Sequence, residues 1–422
     1  MADKFLDVTI ESSREALAAL DSPQLLYLLI EVKPAQPQVL SRTPLNLSLV
    51  LDRSTSMRGE RLSSVRSAAT MIVKQLSADD SLSVIAFSDR ASVVIPSGVK
   101  QEEARTLNKI SQIEAFGGTE IYQGLEAGYR ELHRVTLAEH TNHLILLTDG
   151  HTYGDTDECI EIVRTGAGDG ISLSAFGIGA DWNEYFLDRL AAITGGETSF
   201  IAAPEDVVPI LQQCVTGLGT VYARNLRLTR DLPGAFKLIS AFRVAPIAQP
   251  LNSNGYNLRM GNVVDSVPLS FLLELSVEPQ KPGTELALDL ELLADIPSES
   301  IRDHRVEVQR TLQVVADEPQ GDPPEKLVAA VQAWNLHQMN DNVWNDIDQG
   351  NVQRATTRMR RLTTRLMQAG HTHLAQQLRA ETERLTSGAE VSSEGRKALT
   401  FGTRSLVAQT VQLRTIDDEP LS

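Results

Sequence analysis

Apolar positions in the first half of the chain arrive in short unbroken runs. QLLYLLIEVKP (24–34) and LNLSLVLD (45–52) are bounded by proline and turn residues and are short for buried helices, so they predict strands. From Leu45 the pattern alternates. Leu62, Val65, Ala69, Ile72, Val73 and Leu76 share one helical face, and the runs SLSVIAFS (81–88) and ASVVIPS (91–97) follow, separated by a turn at Asp89 and Arg90. Helical segments are expected near 102–110, 120–133, 156–165, 184–193 and 204–217, interleaved with the strands NHLILLTDG (142–150), ISLSAFGIG (171–179) and TSFIAA (198–203). Near-continuous apolar strands between amphipathic helices predict a doubly wound, mostly parallel α/β sheet covered on both faces.

After Gly219 the texture changes. ARNLRLTRDL (223–232), LSFLLELSV (269–277), TELALDLELLAD (284–295) and HRVEVQRTLQVVAD (304–317) alternate polar and apolar residues, as antiparallel strands with one solvated face do. The run at 24–34 and DVTIES (7–12) precede the α/β unit and need partners, so that unit is expected to be inserted into an all-β sandwich. DEPQGDPPEK (317–326) reads as an acidic linker to a helical C-terminal domain, with helices near 325–347, 351–369, 371–385 and beyond Val391. The expected division is 1–42 for the N-terminal strands, 43–218 for the α/β domain, 219–317 for the sandwich and 318–422 for the helices. The second C-terminal helix carries an apolar stripe of Val352, Ala355, Met359, Leu362 and Leu366 beside a basic stripe of Arg354, Arg358, Arg361 and Arg365, and Gly370 stands where a helix-ending glycine belongs.

A length of 422 residues suits several domains, each with its own core. The two cysteines, Cys159 and Cys214, match neither a zinc ligand set nor a disulfide framework. With 39 Lys and Arg against 55 Asp and Glu, the formal charge of −16 would repel a phosphate backbone, which makes nucleic acid a poor partner. The first residues lack the basic and apolar regions of a secretory signal, and no segment reaches the ~20 apolar residues of a membrane span. A soluble, cytoplasmic protein that does not engage membranes is expected.

Chemistry concentrates where the strand 45–52 ends, in DRSTS (52–56). A serine nucleophile would need a base and a glycine elbow, and neither a histidine nor G-x-S-x-G is present there; a phosphate loop would need its lysine. Hydroxyls beside carboxylates instead suit a hard divalent cation, which takes about six oxygens at ~2.1 Å in the case of Mg²⁺. Two other loops at the carboxyl ends of strands could contribute: Thr119 in FGGTE and Asp149 in LLTDG. Asp52-x-Ser54-x-Ser56, then Thr119, then Asp149 resemble the metal-ion-dependent adhesion site of von Willebrand factor type A domains, with all its pieces in order over residues 43–218.

That resemblance implies that Ser54, Ser56 and Thr119 touch Mg²⁺, or Mn²⁺ or Ca²⁺, through hydroxyls while Asp52 and Asp149 bind directly or through water. An under-neutralised cation of this kind attracts a further carboxylate, so the implied partner is an acidic residue of another protein and the implied role is recognition without catalysis. The wider layout resembles bacterial multidomain proteins loosely labelled calcium-activated chloride channel-like, although a chain without a span cannot by itself form a channel. Relatives of this type often work beside AAA-type ATPases, kinases or phosphatases. A metal-assisted hydrolase using Asp52 and Asp149 is the competing reading; only His151 offers a base near those loops. The arginine stripe of 354, 358, 361 and 365 is a candidate grip for an acidic partner, set against pairing with the chain's own carboxylates. Trp334 and Trp344 are expected to pack, and His371 and His373 to lie at the surface or cap a helix.

Overall fold

The computed structural model describes residues 5–35, 42–99, 102–229, 232, 234–251, 258–265, 267–317 and 321–417, with side chains through 409. Three strands come first, β1 (Leu6–Ser12), β2 (Ala16–Ala18) and β3 (Gln24–Pro34). An alternating unit follows: β4 (Leu45–Asp52), α1 (Glu60–Gln75), β5 (Ser81–Phe87), β6 (Ala91–Ile95), α2 (Glu103–Ser111), α3 (Ile121–Leu132), β7 (Thr141–Thr148), α4 (Thr156–Gly168), β8 (Ser172–Ile178), α5 (Glu184–Thr194), β9 (Thr198–Ile201) and α6 (Val207–Leu218). Its strands form one sheet in the order β6-β5-β4-β7-β8-β9. All neighbours are parallel except β6, which pairs antiparallel on β5 because a tight turn joins the two.

β4 lies inside this sheet and every one of its residues is buried. Leu45, Leu47, Leu49 and Leu51 pack with Leu62 and Ile72 of α1 and Leu211 of α6. Val50 points the other way, into a cluster with Phe87 and Leu125 of α3. Gly124 and Gly128 let α3 lie close on this face: a Cβ at either would stand 2.7–2.8 Å from side-chain carbons of Phe87 or Val50.

The remaining strands are β10 (Val221–Leu228), β11 (Phe236–Ala245), β12 (Gln249–Pro250), β13 (Leu258–Val264), β14 (Leu269–Val277), β15 (Glu285–Ile296) and β16 (Ile301–Val315). Two five-stranded sheets result, β1-β3-β14-β11-β12 and β13-β10-β15-β16-β2, and they enclose a common apolar core. β3 pairs antiparallel with β14 and β2 runs parallel to β16, so the α/β unit is an insertion into this sandwich. β11, β12 and β13 go beyond the four strand segments read from the sequence after Gly219. β10 ends at Leu228, earlier than that reading, and its ladder shifts register around Asn225, whose φ is 57°. Residues 230 and 231 of that expected segment lie outside the described residues.

Four helices follow among the described residues: α7 (Glu325–Asp348), α8 (Val352–Gln368), α9 (Thr372–Thr386) and α10 (Ser393–Asp417). Part of the expected acidic linker, 318–320, lies outside the described residues. Gly370, at φ 84°, ends α8, with the amide of His371 donating to the Leu366 carbonyl at 2.8 Å. α7 lays Leu327, Ala330 and Trp334 on Leu29, Phe242 and Leu272 of the sandwich, and the Phe242 and Trp334 ring centroids are 4.4 Å apart. Trp344 is likewise buried. α10 then reaches the α/β unit, where Phe401 packs between Trp182 and Phe200. Among the described residues no helix is long and apolar enough to cross a membrane.

Candidate functional site

β4 and β7 pair in parallel as far as Leu51 and Leu147, so the loops after them leave the sheet at the same end. Asp52 is fixed first. Thr148 donates its hydroxyl to Asp52 Oδ2 at 2.6 Å, and the Ser54 amide donates to Oδ1 at 2.7 Å. From there a chain of polar atoms crosses to the second loop: Ser54 Oγ lies 2.9 Å from Ser56 Oγ, and Ser56 Oγ donates to Asp149 Oδ1 at 2.7 Å. Four of the five expected site residues therefore form one connected set.

The fifth, Thr119, is buried on the loop before α3, with its hydroxyl over Gly150, where a Cβ would stand 3.4 Å from it. That loop is tied to the first. The Phe116 amide donates to the Arg53 carbonyl at 2.9 Å, and the Thr55 amide and hydroxyl both donate to the Gly117 carbonyl. Gly117 has φ 80°, and a Cβ there would sit 2.6 Å from Asp89 Oδ2, so only glycine fits this turn.

Asp52, Ser54 and Asp149 are buried, whereas Ser56 is exposed at the mouth. Burial pushes the Asp52 carboxyl up to about 6; the hydrogen bonds from Thr148 and Ser54 oppose that rise, and the charge of Asp149 adds to it. Asp149 has a partner that the sequence reading missed. Arg61, in the first turn of α1, donates Nη1 to Asp149 Oδ2 at 2.5 Å. The available signal was a cation at a helix N-terminus, where the helix dipole disfavours positive charge. His151, the one histidine near these loops, is exposed.

Among the described residues no group of three or more His, Cys, Asp or Glu side chains is arranged to hold a metal. The donor set at this site is different in kind, three hydroxyls with two carboxylates, an all-oxygen set that suits a hard divalent cation.

The arginine stripe belongs to another part of the molecule, on α8. Arg354 and Arg358 lie 3.5 and 3.2 Å from the buried carboxylate of Asp346, and Arg358 also donates to the Asn342 carbonyl at 3.0 Å. Arg361 and Arg365 are exposed. His371 precedes α9 at its capping position.

Residues 46–213 match the family model for the von Willebrand factor type A domain. The chain carries a von Willebrand factor type A domain. Residues 325–409 match a second model, the Sll0103-like, C-terminal alpha-helical domain. The whole arrangement of this von Willebrand type A protein is similar to the solved structure of a von Willebrand factor type A protein from Catenulispora acidiphila, at a TM-score of 0.75 over 94% of this chain and 96% of that one; at 17% identity this is a likeness of fold. In sequence it is 32% identical over 269 residues to uncharacterized protein sll0103 of Synechocystis, covering 61% of this chain and 63% of that protein. It is 24% identical over 249 residues to YfbK of Escherichia coli, covering 57% of this chain and 43% of that protein. The chain thus spans less than two thirds of the length of either relative. Von Willebrand type A domains generally mediate protein–protein interaction, often through a bound divalent metal.

Proposed function

We propose that this protein is a divalent-cation-dependent interaction module in which Asp52, Ser54, Ser56, Thr119 and Asp149 hold Mg²⁺, or Mn²⁺ or Ca²⁺, and offer it to an acidic side chain of a partner protein. The observation that carries this reading is the polar chain from Ser54 through Ser56 to Asp149 at the carboxyl ends of two adjacent strands. Neutral hydroxyls contribute no charge to the ion they touch, and a carboxylate that reaches it through water neutralises its first shell only in part. A cation so held keeps an appetite for one more anion. Hydrolysis is the weaker reading, because the serine hydroxyls face each other and a carboxylate while the nearby imidazole of His151 is exposed.

We take the setting to be the cytoplasm of a bacterium. The bacterial relatives and the two free thiols, Cys159 and Cys214, are consistent with this. AAA-type ATPase, kinase and phosphatase systems are the partner classes to test first. The exposed Arg361 and Arg365 form a second, smaller candidate contact for an acidic partner, since Arg354 and Arg358 already face Asp346.

The test is direct titration of the full chain with Mn²⁺ by calorimetry, beside Asp52→Ala and Ser54→Ala, followed by recovery of partners with and without chelator. Binding to the wild type and a loss of at least tenfold in Asp52→Ala is the expected result. Equal binding by all three proteins, or partner recovery indifferent to both chelator and mutation, would overturn it.

A further inference from the structure

Arg61 violates a local rule and does so at the site. A cation in the first turn of a helix opposes the dipole, and the residue before it, Glu60, is the kind of residue that position favours. Its guanidinium reaches across to Asp149 Oδ2, the carboxylate oxygen that Ser56 leaves open. Room for it exists because the end of β8 continues into Gly179: at φ 70° this glycine has no side chain, and a Cβ there would meet Arg61 Nη2 at 2.9 Å. Asp149 is wholly buried and the Arg61 side chain about a third exposed, so the pair is a lid-side cation over an inner carboxylate.

We infer that Arg61 is a built-in counter-cation that competes with the divalent ion for Asp149 and makes ion binding depend on a partner's carboxylate. This rests on the metal-capture reading above and specifies how that site is regulated. Asp52 and Asp149 bring two negative charges to the loops, and Arg61 returns one positive charge to them. Without a metal, the guanidinium relieves the repulsion between two buried carboxylates and keeps Asp149 in place. With a dication added, the group carries one net positive charge, where without Arg61 it would be neutral. The ion alone is then held more weakly, and an arriving carboxylate is attracted more strongly. Ion and acidic ligand consequently favour one another's binding, and linkage requires the effect to be reciprocal.

The experiment compares Mn²⁺ affinity of the full-length wild type with Arg61→Gln and Arg61→Lys by calorimetry, each with and without acetate as a carboxylate probe. A unit charge this close to a dication is worth several-fold in affinity even after screening of its exposed side. Arg61→Gln is expected to bind Mn²⁺ about tenfold more tightly, about 1.4 kcal/mol. Acetate is expected to raise Mn²⁺ affinity in the wild type more than in Arg61→Gln, and Arg61→Lys, which keeps the charge, is expected to stay within about threefold of the wild type. Should Arg61→Gln melt early, Arg61→Met removes the same charge while keeping an apolar stem over β8, and the same comparison applies. Unchanged or weaker Mn²⁺ binding in the charge-removing variants, with the wild type binding normally, would overturn the role of Arg61 and leave the metal site standing. No Mn²⁺ binding by any of the proteins would overturn both.

Discussion

The α/β unit holds two pairs of acidic residues in opposite circumstances. Glu184 and Asp188, on α5, are closed by cations from α10: Lys397 Nζ donates to Glu184 Oε2 at 2.8 Å and to the Trp182 carbonyl at 2.7 Å, Arg396 Nε lies 2.9 Å from Glu184 Oε1, and Arg404 grips both oxygens of Asp188. Asp52 and Asp149, on the sheet's carboxyl end, share hydroxyls and the single half-buried Arg61. Their titration differs accordingly. Burial pushes both Glu184 and Asp52 up, but the hydrogen bond and charge of Lys397 reverse the shift at Glu184, which ends below its ordinary value, whereas Asp52 ends at about 6. A carboxylate matched by cations of its own chain serves cohesion. One buried without enough positive charge retains a capacity for a cation from solution.

The largest expected effect lies on the closed side. Asp188→Ala strands the Arg404 guanidinium in the contact between α10 and the α/β unit, and loss of one partner of a buried pair costs about 3–5 kcal/mol. Urea unfolding monitored by circular dichroism checks it; a loss below about 1 kcal/mol would mean that these pairs are not what holds α10 in place.

A smaller effect belongs to the open side. Because the folded-state value of Asp52 lies above its ordinary 3.8, the native state binds the proton more tightly than the unfolded chain. Stability from this group is therefore present at low pH and lost as pH rises from about 4 through 6. In chelator, the wild type should gain about 1 kcal/mol relative to Asp52→Asn between pH 7 and pH 5. Parallel stability curves for the two proteins would remove the assigned difference between the pairs.

Least sensitive are the surface cations. Replacing both Arg361 and Arg365 with Ala should change unfolding free energy by no more than about 0.5 kcal/mol, since exposed charges contribute little. A larger loss in the same urea assay would give α8 a structural role in its exposed face.

How far the sequence disclosed this arrangement varied with the physics of each part. β3 and β4 were legible because a buried strand is an unbroken apolar run, and the bounds read from the pattern coincide with Gln24–Pro34 and Leu45–Asp52. β11 is apolar at Phe242 and Val244 on one face and Phe236 and Ala241 on the other, since it packs against α7 on one side and the sandwich core on the other; two-sided packing erases alternation. At the site, Asp52, Ser54, Ser56 and Asp149 could be picked out by residue type and order, and the structure joins them by hydrogen bonds. Arg61 carried only the faint signal of a cation in a helix's first turn, because its meaning comes from the span between α1 and the loop after β7 and no short motif encodes that reach. The clamp of Lys397 and Arg404 on α5 was equally hidden, since Lys397 bonds Glu184 across 213 positions of chain.

The insertion also orders events in time. Tyr27 in β3 donates to Glu274 in β14, 247 residues later, and the two strands lie side by side along their lengths. A ribosome adding about 5–20 residues per second needs roughly 12 to 50 seconds to supply that partner. Through that interval β3 has β1 on one edge but lacks β14 on the other, while the intervening α/β unit completes the strands of its own sheet. Synthesis thus passes through a state in which a completed α/β domain is tethered to an apolar strand paired on one edge only, and that state is where chaperones and aggregation would compete for this chain.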